Sequence, residues 1–229
     1  SIGLANLGVE EYCQSKLPYL NELKTNVIIN VAGTAIDDYV ETLQILENAE
    51  GNHVGYEINI SCPNVQEGGM SFGVCPQMTE SLTYALRQCT PKLLIMKLSP
   101  NVTSIENIAK AAENGGADAV SAINTVVGMG INIKSRKVEL NTVFGGLSGP
   151  AIKPVALANV HKVFKAVKIP IIGLGGIASM EDVVEFVLAG ADLVEIGTLN
   201  YKEPGIAIRL ADELDNYCNA NNLKSLSDK

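Results

Sequence analysis

A chain of 229 residues, 47% of them hydrophobic, can bury one sizeable core, and one α/β barrel fits that length as naturally as two smaller domains. Acidic residues outnumber basic ones by 25 to 17, and the basic ones are scattered apart from the run Lys134-Ser135-Arg136-Lys137, which argues against a nucleic-acid or anionic-membrane surface and for small-molecule or protein partners. No stretch nears the roughly 20 apolar residues of a membrane span, and Cys13, Cys62, Cys75, Cys89 and Cys218 form no CxxC pair and have only two histidines to help, so reduced thiols in a cytoplasmic protein without a zinc site are expected.

In chain order, short runs rich in Val and Ile alternate with segments of helical spacing. Strands are predicted over Val27 to Ala32, Tyr56 to Ser61, Leu93 to Leu98, Ala119 to Asn124, Pro170 to Gly173 and Leu193 to Gly197. They read as near-continuous apolar runs, the pattern of parallel strands buried on both faces. Between them apolar residues recur at three and four: Ile36, Val40, Leu43 and Leu46; Ile105, Ile108 and Ala112; Val155, Leu157, Val160, Val163 and Phe164. Thr103 and Glu106 suit a capping box, Gly115 and Gly116 can close that helix, and Ser179 and Gly190 bracket a later one.

This βαβα rhythm, unbroken by a linker, predicts a single (β/α) barrel domain over residues 1–229. A complete (β/α)8 barrel needs eight strands and about 250 residues. With six visible, two units are expected to precede Ser1. Two connections are long, Pro63 to Met78 and Thr125 to Leu147; in the second, Ile131, Ile133, Val138 and Leu140 alternate around the polar turn Lys134 to Lys137. Long loops at the C-terminal ends of barrel strands are where sites are built.

The candidate chemistry lies at those strand ends. The second strand runs into Asn59-Ile60-Ser61-Cys62-Pro63-Asn64. A lone cysteine is usually a small buried hydrophobe. Here Asn59 and Asn64 flank it with donors and acceptors, Gly68, Gly69 and Gly73 allow the next loop to flex, and a thiol near pKa 8.5 is a serviceable base. Lys97 interrupts the apolar run Leu93 to Met96, where an unpaired ammonium is costly to bury. It is either half of a structural ion pair, with Glu57 the one obvious partner on an adjacent strand, or a cation that stabilises negative charge on a cofactor or intermediate. Asn124 and Thr125 end the next strand. Gly173-Leu174-Gly175-Gly176 and Gly197-Thr198 follow the last two strands, where exposed amides can cradle a phosphate with a helix N-terminus, and Gly145-Gly146-Leu147-Ser148-Gly149 could add to them. A phosphate-bearing redox cofactor beside a polar substrate would use all of these groups.

Along essentially the whole chain these residues resemble the class 1 dihydroorotate dehydrogenases, with Asn59-Ile60-Ser61-Cys62-Pro63-Asn64 the most specific element. The resemblance implies a TIM barrel that binds FMN and oxidises dihydroorotate to orotate in pyrimidine biosynthesis, with Cys62 removing the C5 proton while hydride passes from C6 to N5 of FMN. It places Asn59, Asn64, Asn124 and Thr125 around the substrate ring, with Ser1, Ile2, Gly3 and Leu4 closing one side. Lys97 matches the lysine beside the flavin N1 and O2 edge; Asn30, Asn59 and Ile123 match further flavin contacts; Gly149, Gly175, Gly176, Gly197 and Thr198 match the flavin and phosphate cradle.

The segments Gly68 to Gly73 and Gly145 to Pro154 look more like the NAD-linked type than the fumarate-linked type. That type implies an electron-transfer partner subunit carrying FAD and a [2Fe-2S] cluster, which this chain's dispersed cysteines could not hold, and a homo-oligomeric assembly. Val74-Cys75 and Ala5-Asn6-Leu7 depart from the family's usual spelling, outside the inferred chemical core. The competing readings are a fumarate-linked enzyme or related pyrimidine-reducing flavoprotein, a phosphate-binding barrel isomerase or lyase without flavin, and an inactive truncated barrel.

Overall fold

Parallel strands form where the sequence alternates short β-branched runs with helices, and six such strands are present among residues 5–61 and 72–226, which the computed structural model describes. By their contacts the described residues fall into two compact units, one drawn from Ile2–Leu98 with Asn107–Val120 and the other from Ser99–Glu106 with Ser121–Lys229.

The first unit opens with two short helices, α1 (Val9–Ser15) and α2 (Leu17–Asn21), then alternates β1 (Ile28–Val31), α3 (Ile36–Asn48), β2 (Gly55–Asn59), α4 (Pro76–Arg87), β3 (Leu93–Leu98) and α5 (Ile105–Asn114) before β4 (Ala119–Ala122). Strands β1, β2 and β3 are parallel, with Asn30 level with Glu57 and Asn59 level with Lys97. The register is tight at Gly55, where a side chain would stand 2.5 Å from the Leu93 carbonyl oxygen.

Helix α3 begins where the Asp38 carboxylate accepts the N–H groups of Thr34 and Ala35, and it buries Tyr39, Leu43 and Leu46. Tyr39 rather than Val40 takes the first buried position, because its hydroxyl finds a partner, the carbonyl oxygen of Asn59 at 2.8 Å. Helix α4 starts on Pro76, which needs no N–H partner there, and inserts Leu82 and Leu86 with no exposure; each contributes about 1.5–3 kcal/mol of burial. Helix α5 starts at Ile105, one residue later than a cap at Thr103 implies.

The second unit holds the end of β4 beside β9 (Ile171–Leu174), with β10 (Leu193–Glu195) parallel to β9. Its long excursion is a pair of antiparallel ribbons, β5 (Val126–Gly128) with β8 (Gly145–Leu147) and β6 (Ile131–Asn132) with β7 (Lys137–Val138). Helices α6 (Lys153–Phe164), α7 (Met180–Ala189) and α8 (Ile206–Ala220) follow. In α6 the buried stripe is Ala156, Val160 and Val163, while Val155 and Phe164, expected in it, are 42% and 45% exposed.

One local device recurs in both units. Gly116 (φ 97°) and Gly190 (φ 117°) end α5 and α7 in the left-handed conformation, and the N–H of the next alanine bonds back to Ala112 and Phe186 respectively. An aspartate then leads into the strand. Asp118 Oδ2 accepts the Leu94 N–H and Asp192 Oδ2 accepts the Ile171 N–H, each at 2.8 Å, so the helix ending also fixes where the following strand meets its neighbour. No helix among the described residues is long and apolar enough to cross a membrane, and none of their His, Cys, Asp and Glu side chains cluster as a metal site.

Candidate functional site

In the first unit, strand register gathers one group of polar side chains. Side chains alternate along a strand, so Glu57 and Asn59 leave β2 on one face, and Asn30 and Lys97 stand level with them on β1 and β3. Lys97 Nζ lies 3.0 Å from Glu57 Oε1 and 2.9 Å from Oε2, and the Asn30 amide donates to Oε2. Glu57 is 6% exposed, so the ion pair is what makes the burial of either charge tolerable. The pairing of Lys97 with Glu57 is thus present in the structure.

Asn59 is fixed twice: its carbonyl oxygen accepts the Tyr39 hydroxyl, and its side-chain Oδ1 accepts the N–H of Ser61 at 3.2 Å. The Ser61 hydroxyl donates to the Lys97 carbonyl oxygen at 3.3 Å. These bonds hold the backbone at Ser61, where the described segment ends. Cys62 itself, Asn64, the glycines Gly68 and Gly69, and Ser1, Ile2, Gly3 and Leu4 lie outside the described residues.

In the second unit, Ile123 is buried, and Asn124 and Thr125 follow the end of β4 as expected. Asn101, which the sequence did not single out, binds this segment on both sides: its amide donates to the Thr125 carbonyl oxygen at 3.0 Å and its Oδ1 accepts the Val127 N–H at 2.9 Å.

The glycine loops of this unit meet. Gly149 (φ 86°), Gly175 (φ 129°) and Gly176 (φ 83°) all occupy conformations that side chains rarely adopt, and a side chain on Gly176 would stand 2.7 Å from the Gly149 carbonyl oxygen and 3.0 Å from the Lys153 nitrogen. At Gly149 and Gly197, by contrast, an added Cβ would meet nothing within 4 Å. The third loop joins through the Thr198 hydroxyl, which donates to Ser148 Oγ at 2.8 Å. Open space beside backbone amides, two hydroxyls and the first turn of α6 suits a phosphate monoester.

Behind the cradle, Lys153 Nζ contacts Asp182 at 2.6 Å and Glu185 at 2.8 Å. Asp182 also accepts the N–H groups of Ala178 and Ser179, while its own N–H caps onto the Ser179 hydroxyl. Burial pushes the Asp182 carboxyl up, but Lys153 and the two amides outweigh it and hold the carboxyl below its ordinary range. The Ser179 cap was legible in sequence; the tie from Asp182 to Lys153 was not, because it joins two helices.

The comparisons with known proteins agree with one another. A family model for dihydroorotate dehydrogenase matches residues 1–217. The chain is 47% identical over 229 residues to the catalytic subunit of dihydroorotate dehydrogenase B (NAD(+)) of Parabacteroides distasonis, covering 100% of this chain and 74% of that protein. The protein of the same name in Alkaliphilus metalliredigens is 47% identical over 228 residues, covering 100% and 75%. A solved structure of a dihydroorotate dehydrogenase from Eimeria tenella, in complex with ferulenol, superposes with a TM-score of 0.73 at 24% identity, over 96% of this chain and 65% of that one, a likeness of fold. That fold is the TIM barrel expected from the sequence, of which six parallel strands lie among the described residues.

Proposed function

The chain belongs to the dihydroorotate dehydrogenase family, and from that membership we propose that it supplies the FMN-binding catalytic barrel that oxidises dihydroorotate to orotate in pyrimidine biosynthesis. The observation that carries the cofactor reading is the cradle of Gly149, Gly175, Gly176, Gly197 and Thr198, where Gly149, Gly175 and Gly176 are left-handed and the space beside Gly149 and Gly197 leaves room for a phosphate. Ser148 joins it as a second hydroxyl. FMN held there would supply an acceptor for the hydride that leaves C6 of dihydroorotate.

The chain's residues divide the remaining work. Cys62 takes the C5 proton. Asn59, held by Tyr39 and Ser61, presents its amide to the substrate ring with Asn64, Asn124 and Thr125, and Ser1 to Leu4 close one side. By the family resemblance Lys97 would hold the flavin at its N1 and O2 edge, where a cation favours the reduced form; Asn30 and Ile123 would contribute further flavin contacts.

The relatives are named catalytic subunits of an NAD(+)-linked enzyme, which supports a partner subunit; by the family resemblance that subunit takes the electrons onward through FAD and an iron-sulfur cluster, in the cytoplasm. Anaerobic mixing of dihydroorotate with the FMN-loaded, full-length protein tests the chemistry. Cys62→Ala should slow flavin bleaching by about 100-fold or more, with Cys62→Ser intermediate; bleaching at the wild-type rate in both would remove Cys62 from its role.

A further inference from the structure

We propose that Glu57 is a positioning residue whose carboxylate sets how much positive charge Lys97 delivers to the bound flavin. The inference rests on the flavin-binding reading above, and it concerns a residue to which that reading gives no part.

Three observations carry it. The two carboxylate oxygens of Glu57 both lie within 3.0 Å of Lys97 Nζ, so the ammonium is turned along a fixed direction rather than left to sample rotamers. Asn30 donates to the same carboxylate from the other side, which holds the acceptor still. Strand register then places this triad in line with Asn59, whose side chain fixes the N–H of Ser61 immediately before the reactive cysteine.

Stability alone is a weak reason to keep such a pair. Two buried charges recover their desolvation cost only in part, and apolar side chains of the same volume often serve the fold as well. Function gives the pair a different value. A lone ammonium beside a flavin favours the reduced, more negative form strongly; an ammonium with a carboxylate against it presents a dipole, and its pull on added negative charge is smaller. Glu57 thus keeps reduction by substrate favourable without making the reduced flavin too stable to pass its electrons on.

The test is the FMN midpoint potential in the full-length, flavin-loaded protein. Glu57→Gln removes the negative end and should raise the potential. Lys97→Met removes the positive end and should lower it. Each should change the ratio of reduced to oxidised FMN affinity by about tenfold, or about 30 mV for a two-electron couple. The double variant should return close to wild type, and Glu57→Asp, which keeps the charge, should stay near it.

Shifts of the same sign in both single variants, or an unmoved potential in Glu57→Gln, would overturn the proposal and leave the pair a structural contact. If Glu57→Gln does not fold, the double variant against Lys97→Met decides, since only charge compensation returns the potential toward wild type. A wild-type protein that retains no FMN would instead sink the flavin reading on which the proposal stands.

Discussion

Two lysines stand at the two ends of β3, and each holds a glutamate by both oxygens: Lys92 holds Glu47 at 2.9 Å, and Lys97 holds Glu57 at 2.9 and 3.0 Å. The chemistry is the same and the surroundings are not. Glu47 Oε1 also receives the Tyr56 hydroxyl at 2.6 Å and the Thr90 hydroxyl at 2.7 Å. Because the phenol's one proton goes to Glu47, its oxygen accepts the Nε2–H of His53 at 2.7 Å. This cluster ties helix α3 to the approaches of β2 and β3, at the strand ends where a barrel invests in stability. Glu57 lies further along the same strands, among asparagines and beside the segment that leads to Cys62. Glu47, which gathers two hydroxyls and an ammonium, fixes the fold; Glu57, between Asn30 and Lys97, adjusts a charge on the proposal above.

The largest effect that could break this contrast is on stability. Glu47→Ala strands Lys92 and leaves two hydroxyls without their acceptor, and should cost about 3–5 kcal/mol in urea denaturation. The loss should be equal with and without FMN. A cost that vanishes on adding FMN would make this end part of the flavin site and erase the distinction.

Two tyrosines sharpen it on a smaller scale. Tyr56→Phe removes a donor from Glu47 and the acceptor of His53, and should cost about 2 kcal/mol. Tyr39→Phe removes one hydrogen bond to the Asn59 carbonyl oxygen and should cost about 1 kcal/mol, but it should also raise KM for dihydroorotate, which Tyr56→Phe should leave alone. Steady-state kinetics on both proteins beside their melting curves separates the two ends.

The smallest effect is pH dependence. Burial pushes His53 below its ordinary value of 6.5, with the Lys92 ammonium adding to the shift and Glu47 opposing it. Burial pushes Glu47 up from 4.5, yet the hydrogen bonds of Tyr56, Lys92 and Thr90 outweigh it and hold the carboxyl low. Both groups therefore bind protons more weakly folded than unfolded. Their stabilisation is complete above 6.5 and is lost as pH falls, first as the unfolded chain protonates histidine and then as it protonates glutamate near 4.5. Melting temperature should decline across that window, and in Glu47→Gln the lower part of the decline should be shallower. An unchanged slope there would show that other carboxylates dominate.

How much of this was legible in sequence depends on distance along the chain. The β-runs of β2, β4 and β9 are buried as their apolar composition predicts, whereas Ile28 on β1 and Leu193 on β10 are 42% and 63% exposed. Among the described residues those two strands end the strand order, so a side chain there has a described strand on one side. Composition reports that a residue is apolar; it does not report which strands lie beside it.

Adjacent residues carried the rest of what the sequence by itself determined: the alternation of strand and helix, the Ser179 cap, the left-handed Gly190 and the run from Asn59 to Asn64 that marks the family. The sequence offered Glu57 to Lys97; tertiary structure decided that this pair forms and that Lys92 goes to Glu47. Lys92 and Lys97 stand in the same short stretch and look alike there, but one meets a helix and the other a neighbouring strand. Propensity and capping act between residues a few positions apart, so a sequence displays them. The Coulomb energy of a buried charge depends on where the fold delivers its partner, and no local pattern encodes that.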